Sequence, residues 1–205
     1  MLCTGTPDYL RLMRVMVRRG TMRVAICGPM ASGKTRLAEA LIQQHDFSRV
    51  SLARGVKLMG DRILESLIES GVVDAQQRDV KQRRMLQAIG AVGREIDPMM
   101  WINDTLRCAS EHDKVVVDDL RFVNEAIALA DYGFIIIRLN FPDEEFQRER
   151  LMRAYPEDWE RHWNARNDIS ETEIRAIPSD MIDLEITVED GDTNWLAMIE
   201  HLWLT

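Results

Sequence analysis

One short stretch constrains this chain more than any other: Gly28-Pro29-Met30-Ala31-Ser32-Gly33-Lys34-Thr35. It fits the spacing G-x-x-x-x-G-K-[ST] of a phosphate-binding P-loop. Before it runs Arg23-Val24-Ala25-Ile26-Cys27, short and mostly apolar, as a buried strand is. After it, Leu37, Leu41 and Ile42 recur at helical spacing. Strand, glycine-framed loop and helix are the setting in which the pattern has a physical meaning. Gly28, Gly33 and the small Ala31 and Ser32 let successive backbone N–H groups of the loop, that of Met30 among them, curl around phosphate oxygens, and the helix start adds its positive end. Lys34 brings a full charge to the β- and γ-phosphates, and Thr35 offers a hydroxyl to Mg²⁺.

A length of 205 residues suits one α/β domain, or one with an inserted lid. The net charge of −8 argues against general nucleic-acid binding, so nucleic acid is not an expected partner. An acidic protein that binds nucleotides must gather its positive charge locally. Cys3, Cys27 and Cys108 are odd in number and lack metal-ligand spacing, which reads as reduced thiols of a cytoplasmic protein. No apolar run reaches transmembrane length, Ile135-Ile136-Ile137 being cut off by Arg138. Residues 1–21 carry several arginines and no long apolar core, so they read as a poorly ordered arm, or as residues ahead of a later start, and not as a secretory signal.

The expected domain, residues 22–205, alternates strand and helix. Phe47–Ala53 reads as a second strand and Val56–Ile68 as an amphipathic helix with Leu58, Ile63, Leu64, Leu67 and Ile68 on its apolar side. Lys57 follows the strand's carboxyl end, where ligands of open α/β sheets sit. Arg84–Ile96 reads as a helix with Gln87, Gly90 and Arg94 on one face. Its two interior glycines, Gly90 and Gly93, imply either a close approach or loose packing. Asp97-Pro98 reads as an N-cap and first turn opening a helix to Ser110, with Trp101 either packing or stacking on a base. Lys114–Arg121 is an apolar strand ending in Asp118-Asp119, an acid pair beside the loop strand that can hold Mg²⁺ or its water; successive residues of a strand point to opposite faces, so only one can face the loop. Arg121 either pairs with Asp119 or forks onto a phosphate. Phe122–Asp131 reads as a helix with Asn124 and Glu125 in its first turn, and Phe134–Leu139 and Asp183–Val188 as further strands. The result is a five-stranded parallel sheet covered on both faces. Trp195–Leu204 closes the chain as an apolar-faced helix. Residues 143–171 are highly charged, and read either as a solvated helix pair laced with ion pairs or as a mobile lid.

From Met22 onward the chain resembles the phage-type deoxynucleoside monophosphate kinases, relatives of adenylate kinase and dephospho-CoA kinase. Beside the P-loop, the likeness rests on Ser51-Leu52-Ala53-Arg54-Gly55-Val56-Lys57, on Leu86–Asp97 followed by Trp101, and above all on Asp119-Leu120-Arg121-Phe122-Val123-Asn124-Glu125-Ala126. It implies a three-layer P-loop kinase fold, a substrate-binding helical segment over residues 57–112 and a helical lid over 143–171. It implies ATP- and Mg²⁺-dependent transfer to a deoxynucleoside monophosphate in the cytoplasm, the host's if the chain is viral. Lys34 and Thr35 would serve ATP and Mg²⁺, and Asp119 the metal and acceptor. Lys57, Arg94 and Arg121 would hold the acceptor phosphate, with Gln87, Trp101, Asn124 and Glu125 shaping its pocket. Arg150 and Arg153 would be the lid arginines. Two departures stand out. Asp168 stands where the family turn carries a His ahead of Ser170-Glu171, so neither Ser170 nor Glu171 joins the expected site. Arg54-Gly55 replaces a proline-containing turn. A dephospho-CoA or other small-metabolite kinase, and a nucleotide-binding module without turnover, are the alternatives. Whether the chain forms a homodimer is open.

The residue inventory suits phosphoryl transfer between phosphates. A monophosphate acceptor is largely a dianion at neutral pH, its second pKa being about 6, so no side chain need deprotonate it. What remains is repulsion between two polyanions, answered by Lys, Arg and Mg²⁺ in a site that excludes water.

Overall fold

Apolar runs in the sequence become the centre of a parallel sheet. The computed structural model describes residues 21–74, 76, 83–167, 169–189, 195 and 197–199. They divide into two compact units, one made of the chain up to Arg49 and from Glu111 on, the other of Val50–Ser110. The N-terminal arm, Asp168 and most of the expected C-terminal helix lie outside the described residues.

The first unit holds strands β1 (Met22–Cys27), β2 (Ser48–Arg49), β3 (Lys114–Val117), β4 (Ile135–Asn140) and β5 (Leu184–Thr187). All pair in parallel, in the order β2-β3-β1-β4-β5. Parallel strands buried on both faces must be apolar throughout. Val24 to Cys27, Val115 to Val117 and Ile136 to Ile137 are accordingly sealed from solvent. Helix α1 (Lys34–His45) returns from β1, burying Leu37, Ala38 and Leu41 in the core shared by β1, β3 and β4. Ile42, the third residue of the expected apolar stripe, packs at the edge of that core. Helix α5 (Val123–Asp131) links β3 to β4. Between β4 and β5 come α6 (Glu144–Ala154), α7 (Trp159–Asn164), a 3₁₀ turn and α8 (Ile169–Ala176). With β1 central and its neighbours reached by crossovers on either side, the loop after β1 opens at the topological switch point, where α/β sheets bind ligands.

The second unit is three helices: α2 (Arg54–Glu69), α3 (Arg83–Ile96) and α4 (Met100–Ala109). Trp101 is its centrepiece. Its indole N–H donates to the Gly90 carbonyl at 3.1 Å, and its ring lies against Gly93 and Gly55 so closely that a Cβ on Gly93 would sit 2.5 Å from Cε2, and one on Gly55 2.9 Å from Cε3. Of the two readings of the interior glycines of α3, close approach holds at Gly93 and is made by Trp101, whereas a Cβ on Gly90 would meet only ordinary contacts from 3.5 Å. Gly55, the departure from the family turn, is packed under the same ring. Its neighbour Arg54 donates from Nη1 to both Asp104 carboxylate oxygens, at 3.0 and 3.1 Å. Partial burial works against the Asp104 charge, but the Arg107 and Arg54 guanidiniums outweigh it and hold the carboxyl below its ordinary range.

Several expected boundaries shift. The second strand keeps only Ser48–Arg49, because the chain turns at Ser51, whose carbonyl takes the Arg54 N–H, and enters α2. Asp97 receives the Met99 N–H on its side chain and the Met100 N–H on its carbonyl, a capping turn, but the helix itself starts at Met100, two residues later than Pro98. The buried side of α2 is Val56, Gly60 and Leu64, with Leu58 and Ile63 exposed.

Candidate active site

The turn after β1 is built as a cradle. Gly28 and Gly33 have φ of 149° and 95°, and a Cβ on Gly28 would come within 2.6 Å of the Leu139 carbonyl oxygen, so the loop needs glycine at both ends. Ala31 also sits at positive φ, 64°, a strain of about 1–2 kcal/mol that the surrounding structure holds in place. Ser32 is sealed from solvent, and its hydroxyl has no protein partner among the described residues. A buried, orphaned hydroxyl at the centre of such a loop is what a phosphate oxygen would satisfy.

Lys34 opens α1. Its ammonium donates to the carbonyls of Gly28 and Pro29 at 2.7 and 2.8 Å, turned back over the loop. Its pKa falls from 10.5 to about 8, chiefly through loss of solvent; Arg121 pushes the same way, and Glu171, Cys27 and Asp118 oppose. Below the loop, burial pushes the Cys27 thiol up despite Arg138 and Lys34, keeping it protonated.

Next to Lys34, the Thr35 hydroxyl donates to Asp118 Oδ2 at 3.2 Å. Asp118 is buried, and Arg49 grips it through two guanidinium nitrogens, Nε to Oδ1 at 2.9 Å and Nη2 to Oδ2. The carboxylate that meets Thr35 is thus Asp118, one residue before the acid that the resemblance implies. The reason is the early end of β3 at Val117, which leaves both acids on the following loop. Thr35 and Asp118 give one hydroxyl and one carboxylate; Mg²⁺ takes such a set and completes its shell from phosphate and water. The donor chemistry fits. No cluster of three or more His, Cys, Asp or Glu occurs among the described residues.

Arg121 follows on the loop between β3 and α5. Its backbone N–H and that of Phe122 both donate to Glu125 Oε2 at 3.0 Å. Glu125, buried in the first turn of α5, fixes the loop that carries Arg121. The Arg121 guanidinium lies 3.6 Å from Glu171 Oε1, and Glu171 Oε2 accepts the Met30 N–H of the P-loop at 3.2 Å. Glu171 and Arg49 are the site residues that sequence reasoning missed. The signal for Glu171 was present, as the acid of the Ser170-Glu171 pair, and the altered residue before it removed it from the expected set.

The remaining expected residues are scattered over both units. Asn124 is half-buried in the first turn of α5. In α6, Arg150 is half-buried and Arg153 is exposed, paired with Glu149 at 3.0 Å. Lys57 and Gln87 are exposed on α2 and α3 of the second unit, and Arg94 is half-buried with its guanidinium folded back toward Gly90. Trp101 is buried, its ring packed on Gly93 and Gly55 and its N–H taken by the Gly90 carbonyl, which is the packing reading of this residue.

A parallel five-stranded sheet with a glycine-framed cradle at the end of its central strand, a lysine and threonine opening the next helix, and an acid after the neighbouring strand define a P-loop nucleotide-binding protein. More particularly, a family model described as an AAA domain matches residues 24–175, and the chain belongs to that family. The crystal structure of TT1252 from Thermus thermophilus is similar at 16% identity and a TM-score of 0.51, over 90% of this chain and 99% of that one. Shikimate kinase from Acinetobacter baumannii, in complex with shikimate, is similar at 14% identity and a TM-score of 0.46, over 94% and 96%. Of these two, only the first exceeds a TM-score of 0.5, and at its low identity it speaks to the fold alone. Among curated proteins no relative matches. No described helix is long and apolar enough to cross a membrane.

Proposed function

We propose that this protein transfers the terminal phosphoryl group of ATP, with Mg²⁺, to a deoxynucleoside monophosphate, giving the diphosphate. The observation that carries the reading is the second cation at the cradle: Arg121 stands beside the P-loop, bridged to it by Glu171, in addition to Lys34. A loop that only binds a nucleotide has Lys34 for its charge; a reaction between two phosphates needs a further guanidinium for the second one.

In this reading the backbone from Gly28 to Gly33 wraps the donor phosphates and Lys34 swings from the Gly28 and Pro29 carbonyls onto them. Thr35 and Asp118 hold Mg²⁺, which when bound neutralises charge on the donor's phosphate oxygens. Arg49 keeps Asp118 in place. Arg121 grips the acceptor phosphate, and Glu125 holds the backbone under it. Lys57, Arg94, Gln87 and Asn124 serve the acceptor on the strength of the resemblance. The segment 143–171 excludes water, with Arg150 and Arg153 as its charged members. No general base is assigned, because a phosphate dianion attacks without one. The setting is cytoplasmic, the host's if the chain is viral.

The test is release of ADP from ATP and Mg²⁺ with each deoxynucleoside monophosphate in turn, alongside dephospho-CoA and other small hydroxylated acceptors. Turnover with one or more deoxynucleoside monophosphates is expected. Turnover confined to dephospho-CoA or another metabolite replaces the acceptor half of the proposal. Tight ATP binding without ADP from any acceptor replaces it with a nucleotide-gated module. Asp118→Asn is expected to raise the Mg²⁺ concentration needed for half-maximal rate far more than Asp119→Asn; the reverse order returns the metal to Asp119.

A further inference from the structure

Glu171 has no task in the transfer just described, yet it sits at the heart of the cradle. It is 7% exposed, in the first turn of α8. A buried carboxylate is unfavourable unless charges and donors surround it. Here they do: the Met30 N–H at 3.2 Å, the Arg121 guanidinium at 3.6 Å, and the Lys34 ammonium, whose proton affinity Glu171 raises. These are the three kinds of donor, a loop N–H, an arginine and a lysine, that a bound phosphate would use. An acid that only anchored α8 would have no reason to take a loop N–H and an arginine that the ligand also needs. Two like-charged oxygens a few ångströms apart in a half-buried loop repel strongly, so carboxylate and phosphate cannot share these partners.

We propose that Glu171 is an internal stand-in for a phosphate: it occupies the P-loop and Arg121 in the nucleotide-free protein, and the polyphosphate of the nucleotide must displace it, freeing Arg121 as it does so. Glu171 also ends the charged segment 143–171, so its departure from the loop couples nucleotide binding to the position of that segment. The proposal rests on the reading that the loop binds polyphosphate and is independent of which acceptor is used.

The test is calorimetric titration of the protein with ATP, with inorganic tripolyphosphate and with adenosine, without acceptor, for the wild type, Glu171→Gln and Glu171→Asp. Removing a charge-assisted contact that competes with the ligand is expected to tighten ATP and tripolyphosphate binding by Glu171→Gln roughly tenfold, with adenosine unchanged. Glu171→Asp draws the carboxylate back from the Met30 N–H by about one methylene length and is expected to show a smaller gain. Both variants are expected to melt below the wild type while binding phosphate more tightly, a combination that a merely structural residue does not give. Equal or weaker tripolyphosphate binding by the folded variants overturns the proposal. Failure of the wild type and of both variants to bind either polyphosphate overturns the P-loop reading itself, and this proposal with it.

Discussion

Replacing Gly93 by alanine should destabilise the protein, against the ordinary preference of helices. In an exposed helix the change is favourable by about 1 kcal/mol. At this position the new Cβ would lie 2.5 Å from Trp101 Cε2 and 2.7 Å from Nε1, and closer still to Cζ2, with no flexible side chain to yield. Moving the ring also breaks the 3.1 Å bond from Nε1 to the Gly90 carbonyl. Overpacking of this kind costs about 1–3 kcal/mol and the lost bond about 1 kcal/mol more, so destabilisation wins by roughly 1–3 kcal/mol. For a chain of this size each kcal/mol lowers the midpoint by about 2–4 °C. Thermal unfolding followed by circular dichroism and tryptophan fluorescence would read it. The decisive comparison is with Trp101→Leu, which by itself costs about 3 kcal/mol or more in lost packing. In that background the clash is gone, and Gly93→Ala should become neutral or stabilising, a reversal of sign that only direct contact produces. A stable Gly93→Ala single variant, or the same loss in both backgrounds, would refute the packing account and return Trp101 to the substrate.

Three further outcomes are expected. Lys34→Met should lower ADP release by at least about a hundredfold while leaving thermal unfolding almost unchanged, because its ammonium serves phosphates and its burial does not favour the fold. ATP affinity, measured by equilibrium dialysis without added metal, should fall as pH rises above about 8, where free Lys34 loses its proton and bound phosphate needs it, by up to about tenfold per pH unit; an affinity flat from pH 7 to 9 contradicts this. Glu125→Ala leaves the Arg121 and Phe122 N–H groups without their acceptor and should cost about 1–3 kcal/mol, read as a lowered melting midpoint together with a raised KM for the acceptor.

Local signals carried most of the fold. The Gly28–Thr35 spacing with its flanks placed β1, the cradle and α1, and the apolar run Val115–Val117 placed β3, because each element is encoded by neighbours in sequence. Gly93 pointed to either a close approach or loose packing in α3, and the partner that decides it was not legible, since Trp101 reaches back from the next helix. Choosing between Asp118 and Asp119 rested on the resemblance. Alternation along a strand assigns faces only while the strand lasts, and β3 ends at Val117, before both acids. Arg49 meets Asp118 across 69 positions and Glu171 meets Met30 across 141. No period or motif in a single sequence reports pairings that distant; only the crossovers of the sheet bring them together. The apolar side of α2 misled differently, since Leu58 and Ile63 share helical spacing with the buried residues but lie on the exposed side.

The most direct measurement follows the label from terminally radiolabelled ATP into product, with Mg²⁺ and a mixture of deoxynucleoside monophosphates, for the wild type and Arg121→Met. The account predicts labelled deoxynucleoside diphosphate from the wild type and a severe loss of it in the variant, with ATP binding retained. Label that stays in ATP or appears only as inorganic phosphate, with every deoxynucleoside monophosphate present, would contradict it.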